Sequence, residues 1–514
     1  MRRSRLLDRA VLFLGQMSER AEDGLRKFVQ ISLLLAACAC LVFWLLRVWH
    51  AISFVTPYMV ITTGGEEESL FAVWKFTQHQ AVYADPRRIP YAVSYLNWGF
   101  YYCYGWIARA FLRLFRLDAI WIPTIGRILT LSFTLLTGGV FYLATRDFVK
   151  AGFFASRPAA WAWILIATLS PLVGFWSITL RPDVGALAFE AAGLYLILRY
   201  LRDSKIRLVV VAALLFYAAW ALKQSSVTML AGSALTLLLL LRWRALLTLS
   251  GIWWFLALVT LIVGGPTYRD SILFSESHFP LQVHTGFGNA LIACERNPFV
   301  LPGIAGILFL AWRTFRQIRS RPIEAAVMVV ALFSFCFTLV TSSKLGASSY
   351  YYMPAAWATM LCVALNWRQF NSQLAMACLA VCSWLLIGGI TRGHTFYGED
   401  YRYTDSLHRA VAEKLSRLPG PAFVTEFYSN LPWVQHYSPH FVLGDEYEAG
   451  RFAGVPYEDG GWEGLASEGY FGTLVTYRDL SFSPAVLEKY QLADEYKDAN
   501  EDYKFYRRIG AGSR

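Results

Sequence analysis

Charge is what this sequence has least of. Asp, Glu, Lys and Arg make up 16% of its 514 residues, against about 25% in soluble globular domains. With 56% hydrophobic residues and a mean hydropathy of +0.40, that deficit excludes an ordinary soluble domain and indicates a polytopic membrane protein. Cysteine is sparse too, and the eight present show neither metal-ligand spacing nor a disulfide framework. Cys38, Cys40, Cys336, Cys362, Cys378 and Cys382 sit in apolar runs, where a thiol packs as a small hydrophobe. Cys378 and Cys382 share a helix face, but no further ligand lies near them in sequence. No cleavable signal peptide is expected, because the first 27 residues are charged and the apolar run after them is long enough to stay in the membrane. No internal repeat stands out, which weighs against transporter folds built from inverted repeats.

Aromatic residues, by contrast, are plentiful: 19 Trp, 28 Tyr and 36 Phe fit a protein whose rings crowd the water–lipid boundaries. The net charge of +11 does not indicate a nucleic-acid partner, because Arg and Lys occur as short clusters between apolar spans and not on one face. They read as topology signals. Arg2, Arg3, Arg5, Arg9, Arg20, Arg26 and Lys27 place residues 1–27 in the cytoplasm by the positive-inside rule. Phe28 to Leu46 is charge-free and long enough to cross a hydrocarbon core of about 30 Å.

Beyond it stands an acidic run, Glu66-Glu67-Glu68, then Leu70, Phe71 and Trp74 with Lys75, Gln78 and His79 on other faces. That pattern predicts a short amphipathic helix on the membrane surface. Residues 95–115 could cross the bilayer or lie along it. Crossing would put Arg146, Lys150 and Arg157 outside and invert every later loop, so they are expected to lie in the interface. Spans then alternate cleanly to Ile390, with cytoplasmic loops at Arg199 to Arg207, Arg242 to Arg244 and Arg313 to Arg321.

The fold class expected is therefore mainly α: a polytopic membrane protein of about 11 transmembrane helices, with interfacial helices in a first outer loop over 62–120. Residues 393–514 are richer in Asp, Glu, Gly and Tyr and contain no run long enough to span. A helix-like stretch from Asp405 to Leu418, then Ala422-Phe423-Val424 and Phe471 to Tyr477 as strands, predict a small extracytoplasmic α/β domain. The expected parts are a cytoplasmic basic arm (1–27), a transmembrane domain (28–392) and this outer domain (393–514), in the cytoplasmic (inner) membrane.

The outer ends collect carboxylates from Glu66, Glu67, Glu68 and Asp85, and cations from Arg181, Lys223 and Lys344. A single Lys or Arg at a helix end often only snorkels to headgroups, and one of the glutamates is accounted for by the dipole of a helix start. Convergence of three cations with an acid cluster on one face indicates more. It could hold a lipid-linked phosphate beside a carboxylate that removes an acceptor proton.

The layout resembles the GT-C superfamily of integral-membrane glycosyltransferases, of the protein O-mannosyltransferase and aminoarabinose transferase type. The resemblance covers about residues 28–392. It rests on a first span followed at once by Glu67-Glu68 (Glu66 being the alternative first member), a short apolar helix, Tyr83-Ala84-Asp85, Tyr95-Leu96-Asn97-Trp98 and Arg127. Arg181-Pro182-Asp183, Lys223-Gln224 and Lys344-Leu345-Gly346-Ala347 are similar to elements of bacterial members. The usual first acid, Asp, is here Glu.

The resemblance implies an inverting transfer of a sugar from a polyprenyl-phosphate donor to a glycolipid, polysaccharide or protein acceptor outside the membrane. Glu66, Glu67 or Glu68 would act as general base, and Arg181, Lys223 and Lys344 would hold the leaving phosphate. Asp85, Tyr95, Asn97, Asp183 and Gln224 would line the sugar and acceptor pocket. No cofactor is required. Contiguous carboxylates could take a divalent cation (Mg or Mn), although no His joins them. The competing readings are a transporter or flippase for lipid-linked sugars, a glycan polymerase or ligase, and a non-catalytic scaffold. A transporter would place ionisable residues mid-span, where Glu190 is the main instance.

Overall fold

The computed structural model describes residues 2–58, 66–149, 157–314, 318–344, 346–367, 372–392, 401–424, 431–434, 439–441, 445–477, 482–498 and 502–510. Helix dominates. The N-terminal part comprises α1 (Arg2–Ser53), α2 (Glu66–Thr77), α3 (Trp98–Phe115), α4 (Ile122–Phe148), α5 (Arg157–Leu169), α6 (Pro171–Gly174), α7 (Asp183–Asp203) and α8 (Ile206–Leu222). There follow α9 (Thr228–Leu239), α10 (Trp243–Val263), α11 (Gly265–His278), α12 (Val283–Arg296), α13 (Val300–Thr314), α14 (Pro322–Thr341), α15 (Met353–Leu365) and α16 (Gln373–Arg392).

Among the described residues six helices are long and apolar enough to cross a membrane, within α1, α4, α7, α10, α14 and α16. A seventh arises if α12 and α13, bent by 103°, count as one span. Pro298 lies at that bend, where it can neither donate a backbone hydrogen bond nor let the residue before it stay helical. Asn297 caps the break, its side-chain oxygen accepting from the Phe299 amide at 3.3 Å. The helices α8 and α9 are apolar but shorter. α3, with Arg109 and Arg113 in its length, is not among the spanning helices.

Burial separates the centre of the bundle from its rim. α7 has 72% of its apolar window buried, α10 only 17%. α7 packs along α8 and against α4 and α9, so whatever its ends carry is held by protein, not lipid. α3 reaches this centre because residue 99 is glycine: a Cβ there would stand 2.6 Å from the Ala221 carbonyl oxygen.

Between α5 and α7 the chain leaves the path of a continuous helix over Ser170 to Pro182, broken into the short α6, a 3-10 turn and extended residues. Non-helical backbone at membrane depth persists only where protein groups satisfy it, and here they do. Trp44 and Arg47 of α1 donate to the Ser177 hydroxyl (2.6 Å) and the Phe175 carbonyl (2.9 Å). Thr130 and Thr134 of α4 donate to the carbonyls of Thr179 (2.7 Å) and Ser177 (3.4 Å). The segment is thus fixed from two helices before it delivers Arg181-Pro182-Asp183.

The C-terminal part is a four-stranded mixed sheet of β1 (Ala422–Val424), β2 (Thr473–Tyr477), β3 (Tyr490–Lys497) and β4 (Asp502–Arg508), in the order β1-β2-β4-β3. β1 and β2 are parallel; the remaining pairs are antiparallel. The two-residue alternation of strands divides the core. Ala422, Val424, Val475 and Phe505 meet the helix α17 (Tyr401–Leu415), while Phe423 and Leu474 face a layer containing Phe441, Trp462 and Phe471. That second layer also takes in Tyr91, fully buried, from the loop before α3.

Candidate active site

The acid run opens α2, where carboxylates suit the positive end of the helix dipole. Glu66 is completely buried. It pairs with Arg127 of α4 at 3.3 Å and accepts a hydrogen bond from the Leu180 amide at 2.5 Å. Arg127 also reaches the Ala51 carbonyl at the end of α1 (3.4 Å). Glu68, two residues further on, is 8% exposed; the Glu67 side chain lies outside the described residues. α2 continues into a core with α3 through Leu70, Val73, Phe100, Tyr101 and Tyr104.

Leu180 is followed by Arg181, so the acid helix and the start of α7 share one wall. Arg181 pairs with Asp183 at 3.0 Å, and Lys223, at the end of α8, bonds to the other oxygen of the same carboxylate. All three side chains are nearly excluded from solvent, at 8%, 10% and 1% exposure for Arg181, Lys223 and Asp183. Two cations therefore share one anion. Aromatic faces surround them: the Tyr350 ring lies 4.7 Å from the Arg181 guanidinium and 4.3 Å from the Lys223 ammonium. Tyr351 lies 4.3 Å from Lys223 and Trp176 5.4 Å from Arg181. Such faces attract cations electrostatically without neutralising them.

Behind Lys223 is a cavity of about 20 Å³, lined by Asp183, Glu190, Ser225, Ser226, Thr228 and Thr341 among others. That is room for one water molecule with several polar partners. Glu190, buried in α7, is held at the start of α9 by the Met229 amide (3.0 Å) and the Thr228 hydroxyl (3.3 Å). Its mid-helix position thus has a local partner set at a helix N-terminus.

The remaining expected site residues are distributed unevenly. Gln224 adjoins the cluster; its Nε2 donates to the Tyr95 carbonyl at 2.7 Å, which ties the loop before α3 to the end of α8. The Gln224 Oε1 atom is buried and, among the described residues, has no hydrogen-bond partner. Asn97 is spent on the fold. Its amide nitrogen donates to the Trp220 carbonyl (2.9 Å), its oxygen caps α3 at the Trp98 amide (2.8 Å), and the Tyr268 hydroxyl donates to that oxygen as well. Asp85 is on the surface loop with Arg87 at 3.1 Å and Arg88 at 3.7 Å. Burial works against its charge, but the Arg87 amide and guanidinium outweigh it and lower its pKa. Lys344 has its described contacts elsewhere, with the Phe279 ring (4.8 Å) and in a bridge to Leu281.

Sequence reasoning did not assign the aromatic walls Trp176, Tyr350 and Tyr351, nor the hydroxyl-lined cavity. The run Tyr350-Tyr351-Tyr352, soon after Lys344, was the visible signal. Among the described residues no group of three or more His, Cys, Asp and Glu side chains converges as a metal centre would.

Taken as a whole, the chain shares its fold with solved membrane transferases. It is similar to ArnT from Cupriavidus metallidurans in the apo state, at TM-score 0.56 and 16% identity over 92% of this chain and 97% of that one. The structure of that protein bound to undecaprenyl phosphate gives TM-score 0.52 at 14% identity, with the same shares covered. The archaeal oligosaccharyltransferase AglB from Archaeoglobus fulgidus, in complex with an inhibitory peptide and a dolichol-phosphate, matches at TM-score 0.50 and 14% identity over 94% of this chain and 74% of that one. No protein-family model and no curated protein matches the sequence.

Proposed function

We propose that the protein is a membrane glycosyltransferase that moves a sugar from a polyprenyl-phosphate donor to an extracytoplasmic acceptor with inversion. The observation that carries this reading is the shared wall: Glu66 accepts from the amide of Leu180, the residue before Arg181. An acid run and a two-cation cluster thereby stand on either side of one short buried segment. In this reading the chain makes about 11 crossings, with the N-terminus cytoplasmic and the C-terminal sheet outside.

In the proposed reaction an acceptor hydroxyl attacks the anomeric carbon from the face opposite the phosphate. The new carbon–oxygen bond forms as the carbon–oxygen bond to phosphate breaks. The acceptor proton passes to a glutamate of the acid run. Glu66, held by Arg127 and Leu180, anchors the acid run, and Glu67 or Glu68 serves as the base in this reading. The polyprenyl phosphate leaves with an added negative charge, which Arg181 and Lys223 stabilise. One carboxylate between two cations leaves the cluster a net positive charge, which suits a phosphate. Lys344 is the third cation at this outer face. The sugar and acceptor pocket lies by Tyr95, Asp183 and Gln224, where the unpartnered Gln224 Oε1 could accept from a sugar hydroxyl; Asp85 and Asn97 shape the loop around it.

The polyprenyl phosphate itself tests this without knowledge of the sugar. Protein reconstituted in nanodiscs should bind it, and Lys223→Ala should weaken that binding at least tenfold while the protein still folds. Equal affinity in the wild-type and Lys223→Ala proteins would remove the donor assignment.

A further inference from the structure

Away from the Arg181 cluster, the α2–α3 pair carries a second basic group. Two residues past α2 comes His79, whose backbone is in the left-handed region at φ 60°, with the next amide, that of Gln80, turned back onto the Lys75 carbonyl at 2.9 Å. The ring meets α3. Nη2 of Arg109 lies 3.1 Å from its Nδ1 and also contacts its Nε2. Nη2 of Arg113, one turn on, lies 3.4 Å from the same Nε2. Arg116 follows at the exposed end of the helix.

A neutral imidazole has one acceptor nitrogen, whereas each guanidinium carries five N–H donors. Most of the donor capacity here has no acceptor. Among the described residues Nε of Arg109 is buried without a partner, and neither Arg109 nor Arg113 forms an ion pair with a carboxylate. Repulsion between two guanidiniums brought to one ring favours a bound anion.

The surroundings say which anion. The same helix exposes Trp106, Phe111, Leu114 and Phe115 at 60%, 46%, 75% and 58%, and Phe76 of α2 packs edge-on against Trp106. Bulky apolar side chains interleaved with arginines are the pattern of a helix lying in the headgroup layer. Arg109 also lies over the Trp106 ring at 5.5 Å, which fixes the guanidinium beside the ring that enters the lipid. A soluble anion would gain nothing from those apolar neighbours; a phospholipid uses both, its phosphate on the arginines and its acyl chains along the rings.

We infer that Arg109, Arg113 and His79 form a binding site for the phosphate of an anionic bilayer phospholipid, which seats the α2–α3 pair on the membrane. The site is separate from the one proposed for the donor and does not depend on the reaction assigned there.

The test uses the full chain in detergent, with thermal unfolding followed as phosphatidylglycerol, phosphatidylcholine or inorganic phosphate is added. Phosphatidylglycerol should raise Tm in the wild-type protein, less so at high salt because exposed charges are screened. In Arg109→Gln/Arg113→Gln its half-saturating concentration should rise about tenfold or more, as expected for losing charge-assisted hydrogen bonds. Arg109→Lys/Arg113→Lys should keep part of the effect. If the double Gln variant does not fold, Arg113→Gln alone, altered at an exposed side chain, is measured instead, with retained phosphatidylglycerol counted by native mass spectrometry. An unchanged phosphatidylglycerol response in the Gln variant would overturn the site. So would an equal response to phosphatidylcholine, or to inorganic phosphate, the latter making a soluble anion the ligand.

Discussion

Two buried charge clusters meet at the segment from Leu180 to Asp183, and they are built on different ratios. Glu66 and Arg127 are matched one to one, with side-chain exposures of 0% and 3%, and the remaining carboxylate oxygen is taken up by a backbone amide. Arg181, Asp183 and Lys223 are matched two to one in ion pairs among the described residues, with aromatic faces against both cations and Glu190 across the small cavity, held by Met229 and Thr228. Desolvating an ion pair is costly, and a closed pair repays that cost only through its own geometry. A closed pair therefore joins elements, here α1, α2 and α4 through Ala51, Glu66 and Arg127. A cluster with a surplus cation would retain affinity for an anion that is not part of the chain. The difference in ratio, more than the presence of charge, separates the anchor from the proposed ligand site.

The sharpest way to break this comparison is Arg127→Ala. It leaves Glu66 buried without its cation, and loss of one partner of a buried pair costs about 3–5 kcal/mol. Thermal or denaturant unfolding in detergent should show a loss of that order. A change below about 1 kcal/mol would mean that the pair is not an anchor. Arg127→Lys should recover only part of the stability, because an ammonium cannot match a guanidinium's several directed donors.

The matching test at the other cluster is Arg181→Ala or Lys223→Ala. Either leaves Asp183 with one cation, so stability should fall less than in Arg127→Ala. Polyprenyl-phosphate affinity should fall by about 2–3 kcal/mol, or roughly 30- to 150-fold, the scale of a lost charge-assisted contact. If the stability losses were equal at the two clusters and affinity unchanged, the two-to-one ratio would have no functional meaning. Asp183→Asn sharpens the point from the opposite side. It removes the anion and leaves both cations uncompensated, so the fold should weaken while phosphate affinity is kept or rises, measured in the same binding assay.

What was legible beforehand follows the same physics. Apolar runs and Arg clusters announce a bundle because lipid forbids unpaired charge, and a helix lies at each place where a span was expected, from α1 to α16. Their lengths were less legible. Among the described residues six are long enough on their own: α5 is broken at Ser170-Pro171, α12–α13 at Pro298, and protein contacts satisfy backbone that a lone helix would have to satisfy itself. In the C-terminal domain β1 and β2 were read from apolar runs and the preceding helix from a helix-like stretch, whereas β3 and β4 were missed. Tyr490–Lys497 and Asp502–Arg508 are mostly polar, since β3 is an edge strand with one wet face. At the site, residue type and spacing marked Arg181, Asp183, Lys223 and Gln224. Spacing could not show that Glu66 would be consumed by Arg127, or that Asn97 would serve as a cap. Those outcomes depend on what a partner far along the chain brings to the same place.

The smallest effect concerns how the C-terminal domain is joined to the loop before α3. The Tyr91 ring is buried among Phe441, Tyr447 and Tyr457, and its hydroxyl donates to the Glu458 carbonyl at 2.7 Å. The Glu458 amide in turn donates to the Arg87 carbonyl (2.9 Å), and Trp433 donates to the Pro57 carbonyl (2.7 Å). Loop and domain are thus joined at several points, so no single hydrogen bond carries the attachment. Tyr91→Phe keeps the ring and removes one bond, worth about 1 kcal/mol net. Its expected signature is faster amide exchange confined to the segments around Arg87 and Glu458, with little change around Glu66 or Arg181 and polyprenyl-phosphate affinity within about twofold of wild type. Exchange that also rose in α2 and at the start of α7 would show that the closed Glu66–Arg127 pair does not insulate the two-cation cluster from the outer domain. The anchor and the ligand site would then be one cooperative unit instead of two.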